Sequence, residues 1–175
     1  MEWLRSTLEY LRGANFAATA FRLFMAMLFG GIIGLERGRR RRPAGFRTHI
    51  LVCMGAALAM CISQYIAVTL GQTTDISRLG AQVINGIGFL GAGTIVVTGR
   101  QQVKGLTTAA GLWASACMGL AIGAGYYECA VIACITIFLT ITALNNVEKL
   151  LTSRTRNMNI NLSLIHISEP TRQEA

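Results

Sequence analysis

The sequence predicts an all-α membrane protein, a polytopic bundle of about five transmembrane helices, and three observations predict it. The chain has 175 residues, of which 53% are hydrophobic and only 14% charged. A soluble domain of that size carries roughly a quarter charged residues. Apolar runs recur along it at the roughly 17–25 residues that a helix needs to cross a bilayer. Finally, the basic residues gather at the ends of those runs, most densely in Glu36-Arg37-Gly38-Arg39-Arg40-Arg41-Arg42-Pro43-Ala44-Gly45-Phe46-Arg47. A formal charge of +8 would suit a nucleic-acid binder if it formed a stripe. Confined to span ends it is a topology signal, and no nucleic-acid partner is expected.

The first 14 residues balance Glu2 and Glu9 against Arg5 and Arg12, and no small-residue cleavage site follows, so no cleavable signal is expected. Trp3, Leu4, Leu8 and Leu11 fall near one helical face, which predicts a periplasmic arm lying on the membrane surface. The transmembrane domain then runs over 15–145. Its expected spans are Asn15–Leu35, Thr48–Leu70, Ala81–Thr98, Leu106–Gly125 and Tyr126–Leu144, the third and fourth being rich in glycine. Lys and Arg near span ends are retained in the cytoplasm. If 36–47 is cytoplasmic, that side also holds Arg100, Lys104, Lys149, Arg154 and Arg156, while the opposite side holds only Arg5, Arg12 and Arg78. The imbalance predicts the N-terminus outside and the C-terminus inside.

After the last span, 146–161 reads as a cytoplasmic tail. Asn157-Met158-Asn159-Ile160-Asn161 alternates polar and apolar, as an opening strand would, so a soluble domain is expected to begin there and to be lost. Leu162-Ser-Leu-Ile-His-Ile-Ser-Glu-Pro-Thr-Arg172 looks like the translation of a transposon-based sequencing adapter. Residues 162–175 are therefore expected to be an artefact, and His166 and Glu169 carry no functional weight.

Within the spans, chemistry is scarce. Gly86-Ile87-Gly88-Phe89-Leu90-Gly91 matches G-x-G-x-x-G, but the first acid after it is Glu128 and it lies inside an apolar run. A dinucleotide site needs a preceding strand and an acid about 20 positions on; close helix packing in lipid needs only small residues. Gly30 and Gly34 fit the same packing logic, as do Gly111, Ser115, Gly119 and Gly123, a ridge at four-residue steps. Arg22 lies inside the first span, where a charge is expensive. It either pairs with Asp75 or Glu128 or snorkels to the headgroups. Asn85 can hydrogen-bond across helices. Glu36 is expected to pair with Arg37 and Arg47 or to act at the membrane edge, and His49 to be an interface residue. Cys53, Cys61, Cys117, Cys129 and Cys134 include no C-x-x-C pair and read as small apolar fillers. No hydrolase, zinc-protease or phosphate-loop motif is present; neither catalysis nor a cofactor is expected, and no metal-ligand set is assigned.

Several blocks together resemble the MgtC/SapB family of bacterial inner-membrane proteins. They are Gly-Leu-Glu-Arg at 34–37, Arg-Pro-Ala-Gly-Phe-Arg-Thr-His-Ile-Leu-Val-Cys-Met-Gly-Ala-Ala at 42–57, Gln-Val-Ile-Asn-Gly-Ile-Gly-Phe-Leu-Gly-Ala-Gly at 82–93 and Val-Lys-Gly-Leu-Thr-Thr-Ala-Ala-Gly-Leu-Trp at 103–113. The resemblance implies a small multi-pass inner-membrane module, with a soluble C-terminal domain in longer members. It also implies roles in growth at low magnesium and in survival inside phagocytes. Two functions follow from it. One is regulation of other membrane proteins, among them the proton-translocating ATP synthase, with a homo-oligomer as a further form of partnering. The other is transport of Mg²⁺ or another ion along a polar path lined by Arg22, Asp75, Asn85 and Glu128. By resemblance the functional positions are Glu36, Arg37, Arg47, Thr48, Asp75, Arg78, Asn85 and Gly91.

Overall fold

The computed structural model describes residues 10–11, 13, 15–69, 75–98 and 102–143. The expected tail over 146–161, the adapter-like stretch 162–175 and most of the arm over 1–14 lie outside these. Five helices carry the fold: α1 (Phe16–Arg39), α2 (Phe46–Thr69), α3 (Ser77–Gly93), α4 (Leu106–Gly123) and α5 (Tyr127–Ala143). α1, α2 and α4 are long and apolar enough to cross a membrane; α5 is apolar but shorter, and α3 has 17 residues, the lower limit for a span. The chain divides into two compact units, Met1–Phe138 and Leu139–Ala175. Of the second, only 139–143 are described, and they form the last turn of α5.

Helix α1 starts where Asn15 caps it, its side-chain oxygen accepting from Ala18 N–H at 2.7 Å. It runs beyond the expected Leu35 to Arg39, because Arg37 and Arg39 suit the negative end of the helix. Arg41, with φ of 51°, and Pro43 then turn the chain back. The α1–α2 hairpin is closed by glycines. A Cβ on Gly34 would lie 2.8 Å from Phe46 Cα, and one on Gly30 2.8 Å from the His49 carbonyl oxygen.

The expected third span, Ala81–Thr98, differs from what forms. The helix begins earlier, at Ser77, and ends at Gly93, and Val96–Thr98 becomes a strand, β1. It pairs antiparallel with β2 (Gln102–Lys104), Val97 opposite Val103. The run Ile95-Val96-Val97-Thr98 is β-branched throughout, which favours strand over helix once Gly93 has loosened the last turn. The ribbon closes against Gly105, whose φ of 100° and close approach to the Thr94 carbonyl admit only glycine. α4 follows at once.

α4 lies against α2, and a Cβ on Gly119 would sit inside the Cys53 carbonyl, one on Gly123 inside the Ala57 carbonyl. The glycine ridge is thus an internal seam. Ala56, Ile87 and Ala116 form a core cluster between α2, α3 and α4, with Val52, Val83 and Leu120 packed on it.

Candidate functional site

Among the described residues the buried charged groups, Arg22 and Arg37, fall at the two ends of the α1–α4 contact. α1 and α4 run antiparallel, with Arg22 at Gly123 and Arg37 at Thr108. Arg22 and Arg37 are as many residues apart as Thr108 and Gly123, so two arginines on one helix meet both ends of the other.

At the first end Arg22 is 1% exposed, which excludes snorkelling to the headgroups. Each guanidinium nitrogen has acceptors. Nε donates to the Tyr127 hydroxyl at 3.4 Å, Nη1 to Gln64 Oε1 at 2.6 Å and the Gly123 carbonyl at 2.8 Å. Nη2 donates to the Leu11 and Gly13 carbonyls at 3.2 and 3.3 Å. The Tyr127 hydroxyl donates onward to Leu11 at 2.7 Å, and Gln64 Nε2 to the Ala124 carbonyl at 3.0 Å. The last carbonyls of a helix have no partner within it and carry partial negative charge. Arg22 and Gln64 therefore cap α4 while holding the chain before α1. Neither Asp75 nor Glu128 is among these partners. Asp75 instead starts α3, accepting from Ser77 N–H at 2.9 Å and Ser77 Oγ–H at 2.7 Å. These two donors hold its carboxyl below the usual carboxylate range, the hydroxyl contributing most.

At the other end Arg37 is 3% exposed and donates from Nη2 to Thr108 Oγ at 2.9 Å. His49 is fully buried, its Nδ1 3.0 Å from the Gly45 carbonyl. Arg37 Nε, His49 Nε2 and Ser115 Oγ are buried without a hydrogen-bond partner. Glu36 pairs with Arg40, one turn on, rather than with Arg37 or Arg47; spacing of four on a helix brings those side chains together.

The remaining expected residues are scattered. Arg47, Thr48, Arg78, Asn85 and Glu128 are exposed, while Gly91 is buried against Ala109. A Cβ on Gly86, Gly88 or Gly93 would meet nothing within 4 Å, so those glycines face outward. A shallow apolar groove lies beside them between α3 and α4, lined by Ile87, Gly91, Ile95, Ala109 and Trp113. Gln64, Thr108 and Tyr127 were not foreseen. Gln64 is the one amide in the second apolar run, a signal that composition does carry.

The family model described as MgtC family matches residues 23–150. The chain belongs to the MgtC family. It is 40% identical over 154 residues to YhiD of Escherichia coli (strain K12), named as a candidate magnesium transporter, covering 86% of this chain and 69% of that protein. It is 36% identical over 155 residues to protein SrpB of Synechococcus elongatus, covering 81% and 82%. Protein MgtC of Brucella abortus is 46% identical over 123 residues, which is 70% of this chain but 49% of that protein. No solved structure matches. With three membrane-capable helices, this MgtC-family chain is a membrane protein.

Proposed function

We propose that this MgtC-family protein is a multi-pass inner-membrane regulator, not an enzyme, which acts by binding another membrane protein. The resemblance nominates the proton-translocating ATP synthase as that partner. The arginine-rich loop orients the chain, with the N-terminus outside and the C-terminus inside. One observation carries the reading. Among the described residues the two buried arginines lie at opposite ends of the α1–α4 contact, and between them Gly119 closes the α2–α4 seam against the Cys53 carbonyl. An ion path needs polar groups or water along its length. Among the described residues both buried charges of this interior lie at its ends, and between them α4 offers the Ser115 hydroxyl alone.

On the surface of α3, Gly86, Gly88 and Gly93 have room beside them and Asn85 is exposed. Small residues admit a second helix closely, and an amide rewards it with a hydrogen bond. The buried Gly111–Gly123 ridge holds the subunit together, whereas the α3 face is the partner surface. A second copy of the chain on that face would give the homo-oligomer.

The name of YhiD favours a second reading, Mg²⁺ transport. Among the described residues no group of three or more His, Cys, Asp or Glu side chains could hold a metal. Mg²⁺ would therefore pass with most of its waters, touching one or two carboxylates or amides such as Asp75 and Asn85. The deciding experiment reconstitutes the full chain in liposomes and follows Mg²⁺ with an internal indicator, with and without an imposed potential. We expect no flux from folded, oriented protein. We also expect co-purification with the synthase to be lost on Gly86→Leu. Saturable uptake abolished by Asp75→Asn or Asn85→Ala would overturn the regulator reading.

A further inference from the structure

The two helices that meet at the arginine-rich turn each carry an exposed stripe. On α1, Leu28, Ile32 and Leu35 are exposed, and the next position on the same stripe is Arg39, also exposed. On α2, read from the turn inward, exposed Arg47 is followed by exposed Leu51, Leu58 and Ile62. Steps of three, four and seven keep residues on one side of a helix. Each stripe is therefore apolar along its length and ends, one turn of about 5.4 Å nearer the loop, in a guanidinium. A Cβ on Gly45 would lie 3.6 Å from Gly38 Cα, so both stripes end where the α1–α2 hairpin closes.

The turn between them is fixed by its own backbone. Arg41 N–H donates to the Gly38 carbonyl at 2.9 Å, and Arg42 N–H to the Arg37 carbonyl at 3.2 Å. Such a pair of bonds closes a helix through one left-handed residue, usually glycine. Here that residue is Arg41, with φ of 51°. A side chain in this conformation costs backbone strain, so glycine would serve the turn better. Turn geometry thus leaves the guanidinium at 41 unexplained. Arg39, Arg41, Arg42 and Arg47 are all exposed. The segment's one carboxylate, Glu36, is taken by Arg40, and among the described residues no carboxylate pairs with those four. Lys104, exposed on β2, brings another cation to this end, because α4 begins two residues later and its Thr108 touches Arg37.

We propose that the α1–α2 turn is a binding site for anionic phospholipid. The acyl chains lie along the two apolar stripes, and Arg39, Arg41, Arg42 and Arg47 hold the phosphodiester. A guanidinium presents parallel N–H donors that match phosphate oxygens, and basic residues just beyond a span attract anionic headgroups. A soluble anion would use the arginines but not the stripes. An acidic protein segment would not need each arginine to stand one turn from apolar surface. Retention of basic residues on one side of the membrane accounts for a basic loop, but not for an arginine in a strained backbone position. The site rests on α1 and α2 crossing the bilayer, and not on whether the protein regulates or transports.

The test is native mass spectrometry of the full chain released from nanodiscs of equal phosphatidylglycerol and phosphatidylcholine with matched acyl chains. Circular dichroism of the same discs reports whether the helices have entered them. We expect phosphatidylglycerol to be retained in clear preference, and Arg39→Gln with Arg47→Gln to remove most of that preference. Arg41→Gly is the sharper variant. It relieves the backbone, so its melting temperature in pure phosphatidylcholine should hold or rise. Its preference for phosphatidylglycerol should meanwhile fall about fivefold, the order expected of one basic residue at an anionic surface. Equal retention of the two lipids by helical, inserted chain would overturn the proposal alone. So would a preference untouched by Arg41→Gly, or phosphatidylglycerol displaced by inorganic phosphate at constant ionic strength, which would mark a site for a free anion. A chain that does not enter the discs would overturn the membrane-spanning reading together with the site. Should the double variant not fold, Arg41→Gly decides.

Discussion

Arg22 and Arg37 are the same residue type, on the same helix, against the same neighbour, and the protein uses them in opposite ways. Arg22 meets the C-terminal end of α4, where unpaired carbonyls attract a cation, and all of its nitrogens are engaged. Arg37 meets the N-terminal end, where the helix dipole repels it; it reaches the Thr108 hydroxyl and keeps Nε unengaged. Burial of a charge is therefore not by itself a mark of function. A saturated arginine is a fastener, whereas one bound to a single hydroxyl holds much less.

Removing the fastener should have the largest effect. Arg22→Met strands the Gly123 carbonyl, Gln64 and the carbonyls before α1. At about 0.6 kcal/mol for each hydrogen bond in a membrane protein, the loss is about 3 kcal/mol. Thermal unfolding in nanodiscs followed by circular dichroism reads it. Arg22→Lys should recover little, because one ammonium cannot span acceptors on both sides of a planar fork. Full recovery by lysine would mean that the charge matters and the fork does not.

Arg37→Met removes one hydrogen bond and one orphaned donor together, so the same measurement should show a loss of about 1 kcal/mol or less. An equal cost at both arginines would break the comparison, since it would make Arg37 a fastener as well. His49 Nε2 and Ser115 Oγ would then be the buried groups left with capacity unused.

Much of this was legible in the sequence, and the rest was not for definite reasons. Six arginines between two apolar runs mark the α1–α2 turn, and a charge inside an apolar run marks Arg22 as buried or snorkelling, because both signals are local. The partners of Arg22 are not local. They are carbonyls exposed by the end of α4 and an amide on α2, fixed only when the helices pack. The expectation of Asp75 or Glu128 came from pairing opposite charges and overlooked backbone carbonyls as acceptors. The β-branched run after Gly93 did carry the hairpin signal, but counting toward a membrane span concealed it. Gly111 and Gly119 look alike in the ridge, yet one faces the His49 imidazole and the other a backbone carbonyl. Spacing cannot distinguish them.

The smallest effect belongs to Asp75, and it sharpens the picture of the Arg22 end. Ser63 donates to the Ile76 carbonyl at 2.7 Å, next in sequence to the Gln64 that holds Arg22. The start of α3 is thereby joined to the same end. Asp75 is exposed, and its carboxyl sits below its ordinary value because Ser77 donates to the ionised form. A depressed carboxyl contributes stability above the ordinary carboxylate range of about 4, and loses it as pH falls through the lowered value. The melting temperature should thus fall slightly more in acid for the native chain than for Asp75→Asn, whose amide does not titrate. The two should differ most near neutral pH and converge once Asp75 is protonated. Curves that stay parallel down to strong acid would show that the Ser77 contacts contribute nothing, leaving α3 held at its start by Ser63 alone.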